Sequence, residues 1–288
     1  MNQTLAGILI AAGWVIGAPL AGGLVAGIDR ILSARMQGRV GPPLLQPFYD
    51  VVKLLKKERL IISRYQNLFL SCFLIFTIFT GVLFILGGDF LIILFAFTLA
   101  DIFFVMSGFV SNSPWSHVGS ERELLQMMAH EPIIILLAIG MYLVTGSFGI
   151  RDIAAFGTPL LFFLPGVFVS FVFILLVKFR KSPFDLALSH HAHQEIVRGI
   201  TSDFSGRPLA IVEIAHWYET ALLYGILFLF CASLPLIGAG ILALVLVLSI
   251  LVDNATARVK WKTMLLLSWT VTIAGGVLNI VILPYVKG

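Results

Sequence analysis

Charge is scarce in this chain: Asp, Glu, Lys and Arg make up 12% of its 288 residues while 59% are apolar, and the mean hydropathy is +1.02. That balance excludes a water-soluble globular domain, which needs far more polar residues to face solvent. Cysteine is nearly absent. Cys72 and Cys231 each sit inside an apolar run with no CxxC pair, so the chain lacks the ligand set of an iron-sulfur cluster or zinc site, and redox chemistry is expected on a partner. Polar linkers are also missing, which predicts one transmembrane domain over residues 1–288. The first apolar run has no basic leader and is too long for a signal peptide, so it reads as a retained helix. No internal repeat stands out, which weighs against inverted-repeat transporter folds. The net charge of +4 matters less than its placement, and no nucleic-acid partner is expected.

What the sequence has in abundance is apolar runs on the scale of a bilayer. A spanning helix takes about 20 such residues. Runs at Leu5–Ile28, Asn67–Leu86, Phe90–Val110, Ile133–Thr145, Leu160–Val177, Leu209–Ser233, Gly240–Val252 and Thr263–Leu283 predict an all-α integral membrane protein of about eight transmembrane helices. Alternating sides then groups the loops Asp29–Gln66, Ser111–Pro132, Lys178–Pro208 and Asp253–Lys262, which hold 17 of the 19 Lys and Arg residues, leaving only Arg151 and Lys287 opposite. Positive charge marks the cytoplasmic side, so both termini are expected outside. Within the first loop, Leu45, Phe48, Val52 and Leu55 recur at helical spacing opposite Asp50, Lys53 and Lys57. This predicts an amphipathic helix lying in the membrane plane, on the protein's own cytoplasmic face, or both.

Acids in hydrocarbon are costly, so they normally face the bundle interior and mark an ion path. Asp101 falls in the middle of the third run, and Glu213, His216 and Glu219 fall three residues apart in the sixth, along one slanted stripe. A His between two carboxylates can accept a proton on one ring nitrogen and donate from the other, so the stripe suits proton relay; pairing across the bundle is the structural alternative. Asp29, Glu131 and Asp253 lie near helix ends and are candidates for the same path or for capping. In SERELLQMMAHEP, Arg122 and Gln126 share one helical face with Ala129 or His130, close to Glu131. The third loop, with His190, His191, His193 and Glu195, invites a metal site, but HHxH lacks the HExxH pattern and a second ligand cluster, so the reading here is a polar docking face anchored by Phe184, Ile196, Val197, Ile200 and Phe204.

Three motifs carry a resemblance. ARMQGRVGPPLLQPFYDVVKLLKKE, SERELLQMMAHEP and SPFDLALSHHAHQEIVRGITSDFSG resemble the signature segments of the membrane subunit that forms the quinone chamber of respiratory complex I, and the eight-helix count agrees. Where that family has an acidic PExEQE stretch, this chain reads ALSHHAHQE and retains only Glu195. RMQGRVGPP and HHAHQE are instead similar to the equivalent subunit of energy-converting, membrane-bound NiFe hydrogenases of the Ech type, relatives that use no quinone. The resemblance implies a subunit without its own cofactor. It would anchor hydrogenase large and small subunits, which carry the NiFe centre and iron-sulfur clusters, beside an antiporter-like membrane subunit. It would couple ferredoxin-linked proton reduction to proton or sodium ion translocation. By position, Arg35, Arg39, Gln46 and Asp50 match the first motif, Arg122, Gln126 and Glu131 the second, and Asp185, Glu195, Asp203 and Glu213 the third and the helix after it. A quinone-reducing complex I subunit and an independent secondary transporter are the alternatives.

Overall fold

The computed structural model describes residues 2–58, 63–187 and 198–287. Among these the secondary structure is helical, with a single isolated bridge between Asp89 and Gly149. The helices are α1 (Asn2–Met36), α2 (Gln46–Lys56), α3 (Arg64–Ile85), α4 (Phe90–Phe109), α5 (Pro114–Thr145), α6 (Ile150–Ala154), α7 (Pro165–Lys178), α8 (Arg207–Leu229), α9 (Pro235–Ala255), α10 (Trp261–Val271) and α11 (Leu278–Lys287). A π-helical stretch, Thr272–Val277, joins the last two. Helices are the expected answer for so apolar a chain, because lipid offers no partner for a backbone N–H or C=O. Six of the helical segments among the described residues are long and apolar enough to cross a membrane: Thr4–Met36, Tyr65–Ile85, Phe90–Phe109, Pro114–Thr145, Pro235–Ala255 and Trp261–Tyr285. The two other expected spans are also helical. α7, at 14 residues, is short for a bilayer, and α8 is one continuous helix whose apolar run is broken by Glu213, His216 and Glu219.

One expectation is corrected. Ser111–Pro132 is not a loop: α5 starts at Pro114 and continues through Pro132 to Thr145. Proline lacks an N–H and normally ends a helix, but the turns before it are largely buried, with Ser116, Ser120, Glu123 and Gln126 inside, and tertiary packing outweighs one missing hydrogen bond.

The chain divides into two compact units. The first comprises Met1–Leu86, Ala96–Leu124 and Asp185–Leu222. Its core joins Leu70 and Phe73 of α3, Ala100 and Phe104 of α4, Ile200 and Phe204 of the third loop, and Leu209, Val212 and Ala215 of α8. The turn after α4 meets the residues before α8 where Ser111 Oγ donates to Asp203 Oδ2 at 2.7 Å, so α4 and α8 run antiparallel.

In the same unit α2 docks through close approach. A Cβ on Gly23 would lie 2.4 Å from Phe48 Cζ, and one on Gly27 would lie 2.2 Å from the Leu44 carbonyl oxygen. Phe48 rests on Trp217 of α8 at 5.0 Å between ring centroids. Pro47 and Val51 are buried and Leu54 packs behind them. The buried stripe therefore differs from the one the spacing suggested: Phe48 faces the protein, while Leu45, Val52 and Leu55 are exposed.

The second unit comprises Gly87–Phe95, Leu125–Phe184 and Leu223–Gly288. Backbone bonds from Phe90 N to Phe148 O and from Ile150 N to Gly88 O tie the connection before α4 to the one before α6. At the other end of α7, Ser182 N donates to Asp253 Oδ1 at 2.8 Å, Ser182 Oγ to the Thr256 carbonyl, and Val259 N to the Pro183 carbonyl. These pairings group the connections as strict alternation of sides requires.

The start of α7 is capped from far along the chain. Asn279 Oδ1 accepts the N–H groups of Gly166 and Val167 at 3.0 and 3.1 Å, while its Nδ2 donates to the Phe163 carbonyl. These are orphan donors of a helix N-terminus, and in an apolar setting they need a partner. Ser170 Oγ donates to the Val271 carbonyl, next to the π-helical stretch.

Candidate functional site

In the first unit, α8 presents His216 toward α3 and α4. His216 lies edge-on to Phe73 and Phe104, at 6.0 and 5.6 Å between ring centroids, and its Nε2 is 3.9 Å from Glu219 Oε2. Glu219 is buried at 3% exposure and Asp101, one turn before Phe104 on α4, at 2%, while Glu213 and His216 are half-buried. These contacts bring His216 and Glu219 together on α8, against the aromatic rings of α3 and α4, while Asp101 is buried on α4. Trp217 and Tyr218, next to His216 in sequence, turn the other way: Tyr218 donates its hydroxyl hydrogen to the Val15 carbonyl of α1. The stripe is thereby held by packing on both sides of α8.

The loop motifs serve largely to fix the loops. Arg122 Nη1 reaches the Leu186 carbonyl at 3.5 Å, beside the buried Asp185. Asp203 accepts from Ser111, and Ile200 N donates to the Ala187 carbonyl. Asp50 accepts from Arg30 at 2.5 Å and from Gln46 at 2.9 Å. Burial pushes the Asp50 carboxyl up, but the Arg30 and Gln46 hydrogen bonds and the Arg30 and Lys53 charges outweigh it, and the group stays below the usual carboxylate range. Arg39 bonds to Gln37, and Arg35 and Arg39 are both exposed. Asp29 is half-buried near the end of α1.

In the second unit, Gln126 Nε2 donates to the Phe184 carbonyl at 2.6 Å, so this residue also holds the third loop. Asp253 takes the Ser182 N–H and lies 4.0 Å from Lys181 Nζ, acting as an anchor between two loops. Glu131 is half-buried and adjoins His130, which is fully enclosed. The predicted residues His190, His191, His193 and Glu195 lie outside the described residues, as do Ile196 and Val197. Phe184, Ile200 and Phe204 are buried and anchor the third loop as expected.

Glu123, Lys178 and Arg180 escaped the sequence reading: Glu123 is buried in the first unit, and Lys178 and Arg180 are buried in the second, as is His130, which the sequence places beside Gln126. Arg180 has a φ of +52°, an uncommon backbone state for a side chain of its size. Glu123 was legible in principle, lying one turn after Gly119 and Ser120 on a face that meets Ile200 and Gly108. Lys178 carried no signal, since it directly follows an apolar run and reads as the first residue of a solvated loop. Among the described residues, no three His, Cys, Asp or Glu side chains gather as a metal site would require.

The family model described as NADH dehydrogenase matches residues 9–284. The chain belongs to the NADH dehydrogenase family. Among curated relatives, hydrogenase-4 component C of Escherichia coli is 30% identical over 212 residues, covering 66% of this chain and 64% of the relative. Formate hydrogenlyase subunit 4 of the same organism is 29% identical over 206 residues, 66% of each chain. This chain thus spans just under two thirds of the length of these hydrogenase-type relatives. A subunit of the NADH-quinone oxidoreductase of Geobacillus kaustophilus is 28% identical over 295 residues, covering 90% of this chain and 87% of the relative. A chain in the solved structure of a membrane-bound sulfane sulfur reductase, an archaeal respiratory membrane complex, shares the fold with a TM-score of 0.78 at 22% identity, over 95% of this chain and 99% of that one. As a family member the chain is an all-α membrane protein, and its relatives belong to multisubunit respiratory or hydrogenase complexes.

Proposed function

We propose that this family member is the membrane-anchoring and ion-coupling subunit of an energy-converting NiFe hydrogenase, acting as one functional membrane domain. The observation that carries the reading is the density of buried ionisable side chains in so apolar a chain, with Asp101, Glu123, Asp185 and Glu219 in one unit and His130, Lys178 and Arg180 in the other. The hydrogenase-type relatives supply the class. In this reading eight helices span the cytoplasmic membrane of a prokaryote, the Lys- and Arg-rich loops are cytoplasmic and both termini lie outside. The loops dock hydrogenase large and small subunits, which carry the NiFe centre and iron-sulfur clusters and receive electrons from ferredoxin, and an antiporter-like subunit adjoins in the bilayer. A charge change at the docked redox subunits shifts the proton affinity of the nearest acids, and the coupling ion, proton or sodium, moves in response. Asp29, Asp101, Glu131, Glu195, Glu213, His216, Glu219 and Asp253 are the path candidates.

The test replaces Glu131, Glu213 or Glu219 by Gln in the intact assembly and measures ion pumping per hydrogen evolved. Loss of pumping with hydrogen evolution retained is the expected result, and unchanged pumping in all three variants refutes the path. A second reading, the membrane subunit of a quinone oxidoreductase, is favoured by the longer match to the Geobacillus protein. Reduction of a quinone by the purified assembly would decide for it.

A further inference from the structure

α2 carries two apolar stripes, and only one is used by the protein. Pro47, Phe48, Val51 and Leu54 are turned inward, onto α1 and α8. Leu45, Tyr49, Val52 and Leu55 form the other, each between 44% and 58% exposed. Exposed apolar side chains are ordinary singly, but four at helical spacing on a helix pinned in place make a face. The pinning is firm. Phe48 fills the notch at Gly23, and Asp50 is clasped by Arg30 and Gln46. α2 therefore cannot roll to hide this second stripe without giving up the first.

Beside the outer stripe the helix ends in Lys53, Lys56 and Lys57, all exposed. Asp50, the acid within α2, is paired with Arg30, and Glu58 directly follows the three lysines in sequence. An apolar arc bordered by lysines is the pattern of a helix lying at a bilayer surface, its stripe among the upper acyl carbons and its ammonium groups reaching the phosphates. A face built for a protein partner would be depleted of lysine at its core. We infer that the outer face of α2 binds the surface of the leaflet and selects anionic phospholipid, with Leu45, Tyr49, Val52 and Leu55 inserted and Lys53, Lys56 and Lys57 on the headgroups. This goes beyond the coupling reading and stands without it, since it needs only that the chain resides in a membrane.

The experiment uses the intact membrane complex in lipid nanodiscs. An environment-sensitive fluorescent amino acid is incorporated in place of Leu45 or Val52 of this chain by stop-codon suppression, so that the label does not depend on thiols elsewhere in the complex. Bromine on the acyl chains is expected to quench both labels, while a water-soluble quencher is not. Quenching by the aqueous reagent alone, or by neither, would show a face in water or under a protein partner and would overturn the inference. The second arm counts phosphatidylglycerol against phosphatidylcholine retained on the purified complex. Each Lys→Gln change is expected to lower that preference by roughly fivefold before screening, and Lys→Arg to preserve it. Equal preference in the triple Gln variant overturns the charge selectivity. Inorganic phosphate, added as a competitor, is expected to leave lipid retention unchanged, and displacement by it would mean a phosphate site in place of a bilayer contact.

Discussion

Replacing Gly23 by Ala should release α2 from the first unit. The added Cβ would sit 2.4 Å from Phe48 Cζ and 2.8 Å from its Cε1, against a comfortable carbon–carbon separation of roughly 3.5–4.0 Å. The ring therefore has to retreat by about 1 Å or more. The retreat disturbs the pair that the ring makes at 5.0 Å with Trp217, whose own carbonyl is pressed against α1 at Gly22. Overpacking of this kind costs about 1–3 kcal/mol, and loss of the aromatic pair adds about 0.5–1.5 kcal/mol. A net of about 2–4 kcal/mol raises the open population of α2 by about thirtyfold to several hundredfold. Hydrogen exchange on the purified protein reads this directly: amides of residues 48–54 lose that much protection while those of α3 are unchanged. Gly13→Ala is the control, since nothing lies within 4 Å of a Cβ there. Equal protection of α2 in the Gly23→Ala protein and the wild type would refute the docking argument.

Acidification should loosen the same helix. The folded-state carboxyl of Asp50 is held below its ordinary value near 3.8, so its contribution is present above that value and is lost as pH falls through the lower folded one. Asp50→Asn should abolish this pH dependence of α2 exchange. Asn279→Ala should lower the thermal stability of the second unit by about 1–3 kcal/mol, as two N–H groups and one carbonyl lose their partner, and a melting curve of the detergent-solubilised protein checks it. Gln126→Leu should free the Phe184 carbonyl and speed proteolysis just after Phe184, with other cleavage sites unaffected.

How much of this was legible beforehand follows from which forces act locally. Apolar runs and the needs of the backbone in lipid placed the helices, and the cost of charge in hydrocarbon singled out Asp101 and Glu219, both of which prove buried. The period of LLQPFYDVVKLLKKE announced α2 as well. Periodicity could not say which of its two apolar stripes would face the protein. That depended on Gly23 and Gly27 opening a notch on α1 for Phe48 and the Leu44 carbonyl. Likewise the continuation of α5 through Pro132, and the enclosure of Glu123, Lys178 and Arg180, came from partners distant in sequence that bury turns otherwise fit for water. Local chemistry determined what the segments of this protein are, and only the meeting of those segments decided which of their faces, and which of their charges, are inside.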